Sequence, residues 1–240
     1  MTHRTTRQLA QSAAIVAITL MQSVASAQDS SYYHPLNQRT PLGQTAGWLT
    51  HIRGHQSTWL QPIRIEVPGG GEASVFSGSQ EPGAVVHTPA MVGVTPGHTY
   101  RIKLANMPEF PNVELYPSIE ILDRLHPPAG EENRYPIPVP FSRQDIRMAL
   151  AGRLVTRVIY LEDPQTAQEL DPLRREIPQA VTPTENVLQE ADHLGRPMII
   201  VRIGNRRPSV YQTGSLFYGT GGPLDIRETP STPREVTRVD

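Results

Sequence analysis

Residues 47–72, GWLTHIRGHQSTWLQPIRIEVPGGGE, set His51 and His55 four positions apart between Trp48 and Trp59. Imidazoles at that spacing share one side of a helix and can hold a metal ion between them, as paired zinc ligands do. The metalloprotease form of the pattern also needs a glutamate directly after the first histidine to act as base. Ile52 occupies that place and Gly54 weakens a helix there. No third ligand stands at a recognisable spacing, although His34, His87, His98 and His126 are available elsewhere. His51 and His55 are therefore only weak metal candidates, and the expectation is that no metal or other cofactor is bound. Their plainer role is that of polar residues on the approach to a first strand. The tryptophans offer a different chemistry. Indole faces stack on sugar rings, so Trp48 and Trp59 form a candidate carbohydrate-binding pair, which Tyr32, Tyr33, Tyr116 and Tyr135 could extend. The same rings also fill cores, which is their commoner use.

Carboxylates suggest a third chemistry. A glycosidase needs two of them flanking the scissile bond, and Glu120 or Asp123 could be paired with Glu162. Cross-strand ion pairing accounts for the same residues more simply, with Glu66 and Glu120 offsetting Arg157 and Arg202. Nucleophile motifs are missing: no G-x-S-x-G elbow and no S-x-x-K occurs. The glycine-rich VPGGGEAS lacks the G-K-[ST] ending of a phosphate loop and reads as a strand turn. These features predict a protein that is not an enzyme.

The elements that must position these residues are mostly strands. In PIRIEV, Ile63, Ile65 and Val67 alternate with Arg64 and Glu66, the period-two pattern of a half-buried strand. HTYRIKLAN repeats it with Tyr100, Ile102 and Leu104 inward and Arg101 and Lys103 outward, and SIEILDRL sets Ile119 and Ile121 on one side of Glu120. LVTRVIYLE and MIIVRI are apolar on nearly both faces, which places them at a sheet centre or beneath a helix. Two short helices carry start and stop signals. In FSRQDIRMALAG, Ser142 and Asp145 form a capping-box pair, with Ile146, Ala149 and Leu150 inward and Gly152 at the end. In TPTENVLQEADHLG, Thr182 caps, Pro183 fills the first turn, and Val187, Leu188, Ala191 and Leu194 form the buried stripe before Gly195. The expected fold is mainly β: a β-sandwich with Ig-like packing and two short helices. The alternative is an α+β arrangement with a single sheet covered by both helices.

The ends of the chain differ from this middle. Arg4 and Arg7, an apolar run over residues 13–21 and the Ala25-Ser26-Ala27 ending make residues 1–27 a secretory signal peptide, too short and too closely bracketed by polar residues to be a span. Residues 28–47 are expected to be a flexible arm, residues 48–204 one β-rich domain, and residues 205–240 a disordered tail. Cysteine is absent, which excludes disulfides, thiolate metal sites and a lipidated cysteine. Removing Arg4 and Arg7 takes the formal charge from −1 to −3, and no basic patch remains for nucleic acid or anionic lipid. No second apolar segment follows, so no stable membrane span is expected after cleavage.

Three stretches, YRIKLANMPEFPNVELYPSIEILDRLHPP, YPIPVPFSRQDIRMALAGRLVTRVIYLEDP and ADHLGRPMIIVRIG, make residues 47–204 similar to a group of exported bacterial proteins that carry no assigned activity, cofactor or catalytic residue. The resemblance implies an exported domain of a recurrent type and transfers no site. The functional expectation is a non-catalytic interaction or structural module in the periplasm, the cell envelope or outside the cell, with an envelope protein or a polysaccharide as partner. The alternative is a carbohydrate-binding module using Trp48 and Trp59.

Overall fold

Alternation at Ile63, Ile65 and Val67 does what the pattern requires: the three side chains are buried, the isoleucines completely. Ile63 and Ile65 belong to β1, Gln61–Glu66, and Val67 directly follows it, in a computed structural model that describes residues 36–54, 58–165, 167, 185–209 and 215–227. The proposed signal peptide and residues 28–35 lie outside the described residues.

Strands β2 (Gly71–Phe76), β3 (Pro82–Thr88), β4 (Ala90–Val94), β5 (Thr99–Ala105), β6 (Ser118–Ile121), β7 (Ile137–Pro140), β8 (Val155–Glu162), β9 (Gly195–Ile203) and β10 (Leu224–Arg227) complete two sheets. One has four strands in the order β10-β4-β1-β7, and the other six in the order β3-β2-β5-β6-β9-β8. Among the described residues, only β1 and β7 pair in parallel. Ile63, Ile65, Val92, Val94 and Val139 of the smaller sheet share one apolar cluster with Val75, Tyr100, Ile102, Leu104, Ile119 and Val201 of the larger one. The fold is thus mainly β with two sheets joined through a common core, and the single-sheet alternative does not hold. Tyr100 sits fully inside it, yet its hydroxyl is satisfied: it accepts from the Thr95 amide and donates to the Pro223 carbonyl, both at 2.9 Å. Burial raises the pKa of that phenol.

The outer face of the larger sheet is covered as well. Helices α1 (Gln44–Arg53) and α3 (Val187–Leu194) close a second cluster of Ala46, Leu49, Leu122, Leu188 and Ile200. A single turn, α4 (Ser215–Tyr218), seats Phe217 and Tyr218 against Phe76 and Tyr116 at the other end of that face. Helix α2 (Arg143–Leu150) feeds Ile146 and Ala149 into the core between the sheets. Its capping box forms as expected, with the Ser142 hydroxyl accepting the Asp145 amide at 3.1 Å and Asp145 accepting the Ser142 amide at 3.0 Å. Among the described residues, no helix is long and apolar enough to cross a membrane.

Several expectations need correction. Residues 36–47 are packed rather than a free arm: Thr45 and Ala46 are inaccessible to solvent and Leu36 packs on the second cluster. The HIR segment does not approach a strand but ends α1, because Thr45, Ala46 and Leu49 bring an apolar stripe at helical spacing that the polar composition of residues 28–47 conceals. The described part of residues 205–240 is not a disordered tail. Its α4 and β10 are held by Phe217, which is fully buried, and by pairing of β10 with β4. Helix α3 is capped by Asn186, whose side chain accepts the Leu188 and Gln189 amides; Thr182 and Pro183 lie outside the described residues. Arg101, expected outward into water, is 7% exposed, because α4 lies over it. Leu150, expected inward, is 38% exposed.

Candidate functional site

Helix α1 begins without a cap of its own. Gly43 precedes it in the left-handed region, no side chain there accepts an amide, and no acidic residue falls in its first turn. The missing acceptor comes from the sheet. The Glu120 carboxylate, fully buried on the outer face of β6, accepts the Ala46 amide at 2.9 Å and an Arg202 guanidinium N–H at 2.8 Å. A carboxylate near a helix N-terminus also meets the positive end of the helix dipole. The other end of α1 is fixed by Arg53, which donates to Asp123; Asp123 is 3% exposed in its side chain and also lies 3.5 Å from Arg196. Gly54 then takes the left-handed conformation and ends the helix.

Pinned at both ends, α1 turns one apolar face to the sheet and a second one to solvent. Trp48 is 54% exposed and Ile52 is 44% exposed. At spacing i, i+4 they lie side by side on the outer surface, with His51 exposed on the same helix. Trp59, in contrast, is half-buried, and the Arg124 guanidinium lies 4.9 Å from its ring centre and covers one face. Of the tyrosines proposed to extend the platform, Tyr116 is buried against Phe217, Tyr135 is exposed, and Tyr32 and Tyr33 lie outside the described residues. His55 is also outside them. Among the described residues, no three His, Asp or Glu side chains gather as a metal site would need.

The carboxylate pair considered for glycoside hydrolysis does not assemble. Glu120 is committed to Arg202 and α1, and Asp123 to Arg53 and Arg196. Glu162 is exposed in an open cleft of about 360 Å³ beside Asp163, Asp192, His193 and Arg196. Burial raises the Asp192 carboxyl above its ordinary value, while His193 and Arg53 pull it back. A second open cleft, about 490 Å³, runs past Val67, Phe141, Ser142 and Arg157. The Ser142 hydroxyl donates to Asp145 at 2.7 Å, and Arg157 also pairs with Asp145 at 2.7 Å. That hydroxyl is used in capping, and among the described residues no histidine lines the cleft to act as a base. The expected offset of Glu120 by Arg202 is present. Glu66 pairs with Arg64 instead of Arg157.

Sequence reasoning missed the outward face of α1 and the Glu120 anchor. The i, i+4 spacing of Trp48 and Ile52 was the one available signal; the anchor joins residues 74 positions apart and left none. The chain matches no family model, no curated protein and no solved structure.

Proposed function

We propose that this chain is an exported, non-catalytic interaction module of the cell envelope, with the outer face of α1 as its contact surface. The observation that carries the reading is the exposed Trp48–Ile52 pair on a helix locked to the sheet at both ends. A rigid, solvent-facing aromatic beside an aliphatic residue is a binding anchor prepared before the partner arrives, since little side-chain or backbone freedom remains to be lost. The buried carboxylates serve the fold, which supports a binding role over a catalytic one. The exported location rests on the leader-like residues 1–27 and on the resemblance of residues 47–204 to exported proteins.

The test is affinity capture from envelope fractions with the wild-type chain and with Trp48→Ala. A partner retained by the first and lost by the second is the expected result. Equal recovery by both would remove α1 from the interface. A second reading, polysaccharide binding, is favoured by the open face of Trp48 alone, because Trp59 already has Arg124 over its ring. In a Trp59→Phe chain, where Trp48 is the sole tryptophan, quenching or a blue shift of its emission on titration with envelope polysaccharide is the signature of that reading. An unchanged spectrum rejects it.

A further inference from the structure

Helix α1 carries a glycine that the fold does not require. Gly47 lies inside the helix, exposed, with its φ outside the left-handed region. Among the described residues nothing lies within 4 Å of the place its Cβ would take. Alanine fits there without strain, and a glycine in a helix interior weakens the helix relative to alanine. Gly43 and Gly54 differ, because each flanks the helix with a positive φ. Gln44, Gly47 and His51, at i, i+3 and i+7, form one exposed row along α1. Trp48 stands beside that row, four residues from Gln44 and three from His51, and so touches the surface of both turns. At Gly47 the row dips to bare backbone between two polar side chains, and the dip adjoins the indole. Among the described residues no ring or guanidinium stacks on Trp48, whereas Arg124 covers Trp59.

We propose that this notch is the subsite for one uncharged pyranose ring of a polysaccharide, a subsite that rests on α1 being the contact face. The ring stacks on the Trp48 indole, its edge lies against the Gly47 backbone, and Gln44 and His51 hydrogen-bond its hydroxyls. A flat apolar wall with a few polar groups that fix orientation is the make-up of a small-ligand site. The Gln44 amide and the neutral His51 imidazole can each donate and accept, which matches a hydroxyl, itself donor and acceptor. Charge points the same way. The one charged residue of α1 is Arg53, and it is committed to Asp123, so no cation in the row answers a uronate or a phosphate. Size argues against a folded protein as the occupant. One face of a ten-residue helix is about 15 Å long and falls far short of the roughly 800 Å² a side that a standard protein interface buries.

The test titrates the Trp59→Phe chain, in which Trp48 is the sole tryptophan, with cellohexaose, chitohexaose and maltohexaose. Hexagalacturonate serves as the anionic control. The expected result is saturable quenching or a blue shift with at least one neutral hexasaccharide and none with the anionic one. Adding Gly47→Ala should raise the melting temperature by about 2–4 °C and weaken that binding roughly tenfold or more, because the new methyl fills the notch. Affinity lost from a more stable chain cannot come from misfolding. The subsite is refuted if no neutral hexasaccharide changes the emission, or if hexagalacturonate binds as well as they do. It is refuted equally if Gly47→Ala binds like its parent, or melts lower, which would give the glycine a structural reason. Affinity capture separates these failures from failure of the contact face. A partner that Trp48→Ala still loses leaves the face standing and rejects the sugar alone, whereas capture indifferent to Trp48→Ala removes both.

Discussion

Glu120→Ala tests the layering of this molecule at its most demanding point. The carboxylate is fully buried, accepts from Arg202 at 2.8 Å and from the Ala46 amide at 2.9 Å, and belongs to the sheet, while Ala46 belongs to the helix. Its removal strands a guanidinium whose side chain is only 10% exposed. Deleting one partner of a buried ion pair costs roughly 3–5 kcal/mol, and leaving a buried amide without an acceptor adds about 1 kcal/mol or more. Arg202 retains a bond to the Thr40 carbonyl at 3.3 Å, which argues for the lower end of the first range. The net expectation is a loss of about 4 kcal/mol, or roughly 8–16 °C in melting temperature for a body of this size. Urea unfolding followed by tryptophan emission and by far-UV circular dichroism measures it. Glu120→Gln keeps the acceptor for Ala46 and should lose roughly half as much. The pair Glu120→Leu with Arg202→Met should recover most of the loss, because an apolar replacement removes both desolvated charges together. A loss below about 1 kcal/mol for Glu120→Ala, the range of exposed ion pairs, would refute the claim that α1 is held to the sheet through this carboxylate.

Other substitutions probe the remaining parts. Ile65→Asp places an unpaired charge in the fully buried position on β1 and should cost several kcal/mol; an unchanged melting temperature would reject the strand assignment. Phe217→Ala empties a fully buried site at the far end of the chain and should cost about 3–5 kcal/mol, whereas a disordered segment would lose nothing in calorimetry. Asp192→Asn should raise the melting temperature at pH 7 and leave it unchanged at pH 3. The folded pKa is raised above 3.8 by burial, so the folded state holds the proton more tightly and stability falls as pH rises through that interval; an effect of opposite sign would mean the carboxylate is stabilised in the cleft. Trp48→Ala should stay within about 0.5 kcal/mol of wild type, separating its proposed contact role from any role in the core, and a larger loss in urea unfolding would assign the ring to packing.

Local pattern in the sequence determined a good deal. Period-two alternation placed Ile63 and Ile65 inward on β1, with Val67 just after it, and likewise Tyr100, Ile102 and Leu104 on β5, because successive side chains leave opposite faces of a strand whatever its neighbours are. The Ser142–Asp145 capping box formed as read, since both partners lie within one turn. Strands β8 and β9 were legible as apolar on both faces, and α3 does lie over both. Which of the two is interior was not legible: β9 lies between β6 and β8, while β8 stands at the edge, and hydropathy carries no strand order. Tertiary structure alone decided that order, the joining of Glu120 to α1, the burial of Arg101 beneath α4, and the folding of residues 215–227 onto the sheets. Each depends on contacts between residues far apart in the chain, whose net energy is set by removal from water, and burial of this kind is a property of the assembled layers rather than of any short window of residues.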